Sequence, residues 1–377
     1  MREISADDIE ALAIGAAILS TGGGGNPYIG KLRCLQLLLR GCKIKMLDLG
    51  ELADDAIVIA VAGIGAPVIS IEKFEQGEEG LRALRAVEEC CGRQADALIA
   101  AEIGGANCME PMITAAQAGL PVIDGDGMGR AFPEMQMVTF SIYGHSSVPA
   151  AMADEKGNVL LMRHAVEDFW FERIARATVV AMGGSAGSAM APMEGRFVKR
   201  AAVPRTVSQA IDLGNIVLDA KVRHESPIDI ICEREGGTRL MDAKIVDVKR
   251  LLIGGFSVGE IDLRGLAQYA GQRGTIRIQN EFLVFSRDGA IEIAVPDLIV
   301  VLELDTGDAI TTEMLRFGQR IAIVGLPCHP LLRSPEALRV VGPAAFGLTG
   351  IEYRPLDRVA RSRSRPLPDT MEVPDTP

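Results

Sequence analysis

Short apolar runs alternate with amphipathic segments through the first third of the chain, and this alternation constrains the fold more than any other feature of the sequence. Four runs have the length of buried strands, at residues 44–47, 56–62, 97–101 and 120–123. Helical patterns at about 75–92 and 108–118 lie between the later runs. Strands that alternate with helices predict an α/β fold with a doubly wound, largely parallel sheet.

A smaller, β-rich region is expected after about residue 227. The sequence there becomes a series of short β-like runs separated by turns, at 228–233, 240–252, 275–279, 281–285, 298–303 and 320–325. Because 377 residues exceed what one hydrophobic core usually organises, two domains are the default expectation. We predict an α/β N-terminal domain over 1–165, a helical connector packed on it over 166–226, a β-rich C-terminal domain over 227–357 and a disordered tail over 358–377.

The charge and hydropathy of the chain argue against several classes of partner. The formal net charge is −11, and Lys and Arg do not cluster before the tail, so nucleic acid is not an expected partner. No apolar stretch reaches the roughly 18–20 residues of a membrane span, and Glu3, Asp7 and Asp8 make the N-terminus acidic where a secretory signal is basic. We expect a cytoplasmic protein that binds a small molecule and forms a symmetric homo-oligomer.

Two glycine-rich loops precede predicted helices. In the first, Asn26 is a good N-cap for a helix that starts at Pro27, and in the second Asn107 can cap a helix with Glu110 three residues later. Helix N-termini present free N–H donors to anions or polarised carbonyls. The substrate-binding candidates are Gly23, Gly24, Gly25, Asn26, Glu102, Gly104, Gly105 and Asn107. Glycines before a helix are equally a packing or turn device, and neither loop has P-loop or dinucleotide-binding spacing.

An acidic loop follows the apolar run at 120–123. Asp124, Asp126, Arg130 and Glu134 stand close together, at the strand end where open α/β sheets bind ligands. The carboxylates suit a general acid and base, or a hard metal ion. The simpler interpretation of the two aspartates is an Asx turn.

Other candidate groups lie around this loop. His145 occupies a polar turn shortly after it, and is equally a catalytic candidate or a plain turn histidine. Glu102 ends an apolar run, so it needs a partner such as Arg130, a metal or the ligand. The small residues at 183–190 do not form a nucleophile elbow and indicate close helix packing.

Four motifs in fixed order resemble one family. They are TGGGGNPY at 21–28, EIGGAN at 102–107, DGDGMGRAFPE at 124–134 and VGPAAFG at 341–347. Together they resemble the S-methyl thiohydantoin desulfurase family, which is associated with hydantoinase/oxoprolinase-type proteins, over roughly residues 5–356. The resemblance implies an α/β domain followed by a smaller β-rich domain. It also implies hydrolysis at the ring carbon that carries the methylthio group, releasing methanethiol and leaving a hydantoin.

Such a reaction needs a base, an acid and donors for developing negative charge. Asp126 or Asp124 as base, Glu134 or His145 as acid, Arg130 as orienter and the glycine-loop N–H groups as donors satisfy this list. A divalent metal ion held by Asp124, Asp126 and Glu102 is the alternative source of activated water. The sequence alone does not distinguish a carboxylate base from a metal-activated water.

Two other functional classes stay open at this stage. One is a hydantoinase/oxoprolinase-like amidohydrolase, with ATP assistance less favoured than a metal. The other is a non-catalytic accessory subunit that serves a hydantoinase-type partner. Nucleotide binding would favour the first, and activity that appears only with a partner would favour the second.

Overall fold

The computed structural model describes residues 1–65, 69, 73, 75–253 and 256–356, so the expected disordered tail lies outside the described residues. The helices are α1 (Ala6–Leu19), α2 (Pro27–Leu39), α3 (Glu79–Cys91), α4 (Glu110–Ala118), α5 (Thr139–Ile142), α6 (Asp168–Ala181), α7 (Gly195–Ala201), α8 (Thr206–Arg223), α9 (Pro227–Glu235) and α10 (Pro335–Val341). The strands of the first half are β1 (Arg2–Glu3), β2 (Lys45–Leu47), β3 (Ile57–Gly65), β4 (Ala97–Ala100), β5 (Pro121–Asp126), β6 (Ala150–Ala153), β7 (Val159–Met162), β8 (Ser185–Ala189), β9 (Met193–Glu194) and β10 (Val203–Pro204). The second half adds β11 (Thr238–Ile253), β12 (Phe256–Gly265), β13 (Arg273–Gln279), β14 (Glu281–Arg287), β15 (Ala290–Ala294), β16 (Leu298–Glu303) and β17 (Arg320–Leu326).

The first sheet is mixed, with a parallel centre. Its order is β1-β2-β5-β4-β3-β8-β6-β7, and the neighbours β2-β5-β4-β3 run parallel. The four predicted apolar runs form this parallel part, which confirms the α/β prediction. Strands β8, β6 and β7 extend the sheet in antiparallel pairing.

The segment from 166 to 226 belongs partly to this sheet. Helices α6 and α8 form where the sequence predicts helices, and α8 packs so closely on α1 that a Cβ on Gly15 would lie 1.8 Å from the carbonyl oxygen of Ala210. Ser185–Ala189 pairs with β3 as a buried strand, and the close helix packing expected from the small residues at 183–190 is present where this strand contacts α3. Small side chains here let the neighbouring helix approach: a Cβ on Gly187 would meet the backbone of Gly80 at 2.6 Å.

The second sheet is antiparallel, in the order β15-β14-β13-β12-β11-β17-β16. Five of the six predicted β-like runs fall in its strands. The run at 228–233 is wrong, because Pro227–Glu235 is a helix. Pro227 stands at its first turn and Gly236 ends it in the left-handed conformation, two helix signals that outweigh the β-branched content of the run.

The two sheets meet at the first glycine-rich loop. Phe282 of β14 donates its backbone N–H to Thr21 O at 2.8 Å, and Thr312 donates to Gly22 O at 2.9 Å. The loop therefore lies between the α/β part and the β-rich part. Within the described residues, no helix is both long and apolar enough to cross a bilayer.

Candidate active site

A cavity of about 780 Å³ lies where the parallel strands end and the second sheet begins. Gly65 at the end of β3 and Ala101 after β4 line it, as do the loop after β5 and helix α2. Asn280 and Glu281 close it from the second sheet. The position agrees with the rule that open α/β sheets bind ligands beyond the carboxyl ends of their strands.

Glu102 follows β4 and is only 6% exposed. The side-chain amide of Asn107 donates to its Oε1, and the backbone N–H of Phe132 donates to Oε2 at 3.3 Å. Asn107 is held in turn by Gly63, whose N–H donates to its Oδ1 at 2.7 Å. Burial nevertheless raises the pKa of Glu102 to about 8. The prediction that Asn107 caps a helix with Glu110 is wrong, because its side chain bonds Glu102 and Gly63 instead.

Glu281 supplies a second carboxyl group from the other sheet. It is the first residue of β14 and is 2% exposed, and its Oε2 has no hydrogen-bond partner. Burial first, and the charge of Glu102 second, raise its pKa well above the ordinary value. This residue is not among the sequence-predicted candidates. The signal in the sequence was an acidic residue at the start of an apolar run, directly after Asn280. Asparagine tolerates the left-handed conformation that Asn280 adopts in this turn.

These two carboxyl groups lie in different environments. Hydrogen bonds from Asn107 and Phe132 favour the charged form of Glu102, whereas Glu281 has a free oxygen and burial raises its pKa well above the ordinary value. Two carboxyl groups on one cavity, one hydrogen-bonded in favour of its charged form and one buried in favour of its neutral form, suit general acid–base catalysis. Glu102 fits the base and Glu281 the protonated acid.

Arg130 lies behind the cavity and joins the two parts of the protein. Its guanidinium is fully buried and donates to Thr21 Oγ1 at 2.7 Å, Asp297 O at 2.9 Å and Pro296 O at 3.0 Å. It also stacks on the ring of Phe132 at 4.6 Å. Burial lowers its pKa to about 10. Arg130 was one of three partners suggested for Glu102, but Asn107 and Phe132 donate the hydrogen bonds that Glu102 accepts, and Arg130 does not line the cavity.

Asp124 and Asp126 are buried, and their oxygens are occupied by the protein. Asp124 accepts from the N–H and hydroxyl of Ser208 at 3.0 and 2.6 Å, near the start of α8. Asp126 accepts from the N–H groups of Ile103, Met128 and Gly129 at 2.8–3.0 Å. Burial raises the pKa of Asp126 to about 7. N–H donors directed at a carboxylate occupy the positions where a cation would bind.

Among the residues that the structure describes, no group of three or more His, Cys, Asp or Glu side chains could hold a metal ion. The predicted trio of Asp124, Asp126 and Glu102 is not such a group. The donor sets of the two aspartates explain why.

The two glycine-rich loops pack against each other. A Cβ on Gly105 would lie 2.3 Å from Gly25 O, and Gly105 adopts φ +60°, so both space and backbone require glycine. Ala106 donates its N–H to Gly24 O at 2.9 Å. A Cβ on Gly104 would meet that of Ala131 at 2.7 Å. Gly104 and Gly105 thus serve the packing alternative, whereas Gly24 and Gly25 also line the cavity.

Glu134, Asn26 and His145 lie in different surroundings. Glu134 lines the cavity, accepts from the amide of Gln136, and has a pKa raised by burial. Asn26 caps α2 by accepting the N–H of Tyr28 at 2.9 Å and also lines the cavity. His145 packs at 5.3 Å from the ring of Phe197 and does not line the cavity.

The structure therefore brings only part of the predicted site together. The predicted residues along the cavity are Gly24, Gly25, Asn26, Glu102, Asn107 and Glu134. The predicted residues behind or away from it are Gly23, Gly104, Gly105, Asp124, Asp126, Arg130 and His145. Gly23 nonetheless lies against Glu281, because a Cβ there would be 2.0 Å from Glu281 Oε1.

Four charged side chains that are not among the sequence-predicted candidates also line the cavity: Arg33, Lys73, Glu75 and Glu110. Arg33 pairs with Glu75 and, at 2.5 Å, with Glu110. Lys73 pairs with Glu155 at 2.6 Å and donates to Met182 O and Ser185 O at 3.0 Å. We call these residues (Arg33, Lys73, Glu75, Glu110 and Glu155) the charged cluster. No local sequence pattern marks it, because its members come from distant segments.

Another part of the cavity wall is mostly apolar. It is formed by Ile64, Met128, Phe132, Met135, Val138 and Met190. Arg176 of α6 adds a cation on this side, donating to Pro133 O at 3.0 Å and stacking on Phe256 at 4.6 Å. The positive charge of Arg176 lowers the pKa of Glu281 and so opposes burial, which raises it.

Comparisons with known proteins give the family and the fold. Two family models match the chain: S-Me-THD-like, N-terminal domain, over residues 7–164, and S-Me-THD-like, C-terminal domain, over residues 166–356. A crystal structure of a protein from Chromobacterium violaceum has 24% sequence identity and a TM-score of 0.75, and the match covers 95% of this chain and 100% of that chain. That likeness shows the fold alone. No curated protein matches the chain significantly.

Proposed function

Because the chain belongs to the S-Me-THD-like family, that of the S-methyl thiohydantoin desulfurases, we propose that it hydrolyses the carbon–sulfur bond of an S-methyl thiohydantoin. The products are methanethiol and a hydantoin. The observation that carries the proposal is the pair of buried carboxyl groups, Glu102 and Glu281, on one cavity of about 780 Å³. The unpartnered Oε2 of Glu281 is a donor or acceptor that a bound ligand would satisfy.

The first step adds water to the ring carbon that carries sulfur. The Glu102 carboxylate takes one proton of the water as its oxygen bonds to this carbon. The electron pair of the carbon–nitrogen double bond moves onto the ring nitrogen, which receives the proton of Glu281. This leaves a tetrahedral intermediate, a protonated Glu102 and an ionised Glu281.

The second step expels the sulfur. The carbon–sulfur bond breaks, and the departing methanethiolate takes the proton from Glu102. The hydroxyl group of the intermediate gives its proton to Glu281 as the carbonyl forms. Both carboxyl groups return to their starting states. The oxygen of the water is now the carbonyl oxygen, and its two protons are balanced by the thiol proton and the new ring N–H proton.

Neighbouring groups prepare the pair for these roles. The Asn107 amide and the Phe132 N–H stabilise Glu102 when it is ionised. The positive charges of Arg130 and Arg176 favour ionised Glu281 after it has given up its proton. The apolar wall removes water around the ring, which strengthens both effects.

Product analysis in ¹⁸O-labelled water tests the reaction class. The proposal predicts methanethiol in a thiol assay and one ¹⁸O atom in the hydantoin carbonyl. A ring-opened carbamoyl product without methanethiol would instead support an amidohydrolase. Turnover that requires an added hydantoinase-type partner would support the accessory-subunit alternative.

A further inference from the structure

Asn280 lies beside Glu281 on the cavity wall, and both of its backbone polar groups are engaged. It is 7% exposed. Its N–H donates to Ser257 O at 2.8 Å, and its carbonyl oxygen accepts from the Thr312 hydroxyl at 2.6 Å. Thr312 also donates its own N–H to Gly22 O at 2.9 Å. These contacts fix the backbone of Asn280 where the two sheets meet.

The side-chain amide of Asn280 has one occupied end and one free end. The backbone N–H of Ser257 donates to Oδ1 at 2.9 Å. Because only the oxygen of an amide accepts a hydrogen bond, this contact determines which end is Nδ2. None of the residues that the structure describes bonds Nδ2. Nδ2 is therefore the polar atom of Asn280 that is left for a ligand in the cavity.

The backbone conformation of Asn280 brings two consecutive side chains to the same cavity. Asn280 is the single residue between β13 and β14, and its φ is +57°. Along an extended strand, consecutive side chains point to opposite faces. The left-handed residue interrupts that alternation, and both Asn280 and Glu281 line the cavity. Asparagine is one of the few residues besides glycine that adopts this conformation routinely.

Two neighbouring residues thus each have a polar atom without a partner, Nδ2 of Asn280 and Oε2 of Glu281. Both residues are more than nine-tenths buried. Polar groups in such surroundings cost free energy unless a ligand or a water satisfies them. A ligand that presents a basic nitrogen next to a carbonyl group would satisfy both atoms, because Nδ2 donates and the protonated carboxyl group of Glu281 donates.

The ring of the proposed substrate has this arrangement. One of its nitrogens lies between the carbon that carries sulfur and the ring carbonyl. Charge that develops on this nitrogen as water adds is shared with the carbonyl oxygen. A donor at that oxygen therefore stabilises the transition state more than it stabilises the bound substrate, as the donors of an oxyanion hole do.

Resting on the proposed function, we propose that Asn280 is a further catalytic residue, whose Nδ2 donates a hydrogen bond to the ring carbonyl oxygen while Glu281 protonates the nitrogen bonded to that carbonyl carbon. Asn280 gives up no proton in this step. The substrate class is thereby narrowed to rings in which the reacting carbon–nitrogen double bond is conjugated with a carbonyl group. A cyclic isothiourea without that carbonyl offers Asn280 no acceptor.

Methanethiol release from S-methyl-2-thiohydantoin by two variants tests the proposal. Asn280→Asp keeps an acceptor for Ser257 and a side chain that tolerates the left-handed conformation, but it has no donor. Asn280→Gly accommodates the same backbone and adds no charge. We expect each to lower kcat/KM by about 10²–10³-fold, the effect of removing one oxyanion donor. Asn215→Asp, at an exposed position of α8, should match wild type. Wild-type rates in both Asn280 variants overturn the proposal.

Calorimetry separates recognition of the carbonyl from a purely structural role. The probes are hydantoin and imidazolidin-2-one, the same ring without the second carbonyl. Wild type should bind hydantoin about tenfold more tightly, the upper range for one neutral hydrogen bond, and both Asn280 variants should lose this ratio. A ratio that is the same in wild type and the variants means that Asn280 only supports the backbone, which overturns the proposal.

The two proposals can fail separately. If wild type releases no methanethiol, the desulfurase proposal fails, and the affinity ratio alone decides whether Asn280 binds a ring carbonyl. A ratio lost in the variants supports that hydrogen bond. Equal affinity for the two rings, or no binding of either, overturns it.

Discussion

Gly23 lies directly against the carboxyl group of Glu281: a Cβ atom at Gly23 would stand 2.0 Å from Glu281 Oε1. The first glycine-rich loop therefore leaves room in the candidate site for the Glu281 carboxyl group, which comes from the other sheet. This contact joins the α/β part to the β-rich part at the point where the proposed acid must be held.

Gly23→Ala should displace the Glu281 carboxyl group. We expect kcat/KM to fall about 10²-fold, the usual effect of a catalytic group misplaced by about 1 Å. Gly350→Ala is the matched control, because a Cβ there meets no atom within 4 Å. Comparable activity of the two variants would show that Glu281 does not depend on this contact.

Arg130→Met should destabilise the protein, since it removes a buried cation that bonds Thr21, Pro296 and Asp297. Loss of one partner from a buried charged network costs about 3–5 kcal/mol. Urea denaturation measures the free energy of unfolding. Arg277→Met, at a side chain 54% exposed, provides the control, and equal losses for the two variants would contradict a joining role for Arg130.

The free energy of unfolding should depend on pH through Glu102. Its pKa is about 8 in the folded protein against an ordinary 4.5, so between these values the folded state holds a proton that the unfolded state releases. Stability from this group therefore falls as pH rises through that window. Glu102→Gln does not titrate, so its stability relative to wild type should increase from about pH 5 to about pH 8. A difference independent of pH would contradict the raised pKa.

The fold was predictable because its signals are local. A few consecutive apolar residues, as at 97–101, are enough to predict a buried strand. The alternation of such strands with helices then predicts a sheet with parallel strands. The prediction of a strand at 228–233 was wrong because it gave the β-branched residues more weight than the proline and glycine at the helix ends. The small residues of Ser185–Ala189 indicated the contact with helix α3, but they carry no signal that the segment itself is a strand.

The candidate site was harder to predict because its partners are distant in sequence. Glu102 was found from its position at a strand end, but the carboxyl group that shares its cavity, Glu281, comes from the other sheet. Asp126 also stands at the end of a strand, yet backbone N–H groups already bond its carboxylate oxygens. Sequence shows where a carboxylate stands and not which donors reach it.

The rate of desulfuration should rise with pH. Because Glu102 must be ionised to act as base, kcat/KM should increase about tenfold per pH unit below its pKa and level off above about pH 8. Glu281 must keep its proton, so a second pKa well above its ordinary value limits the rate at high pH. A rate that is flat between about pH 5 and pH 8 would exclude Glu102 as the base.

The most direct measurement is methanethiol release by Glu281→Gln, compared with wild type and with Glu260→Gln, whose side chain is 42% exposed. Loss of a general acid should lower kcat by about 10²–10⁴-fold, while Glu260→Gln should match wild type. We expect this loss of activity while circular dichroism shows the fold of Glu281→Gln to be intact. Wild-type rates in Glu281→Gln would contradict it.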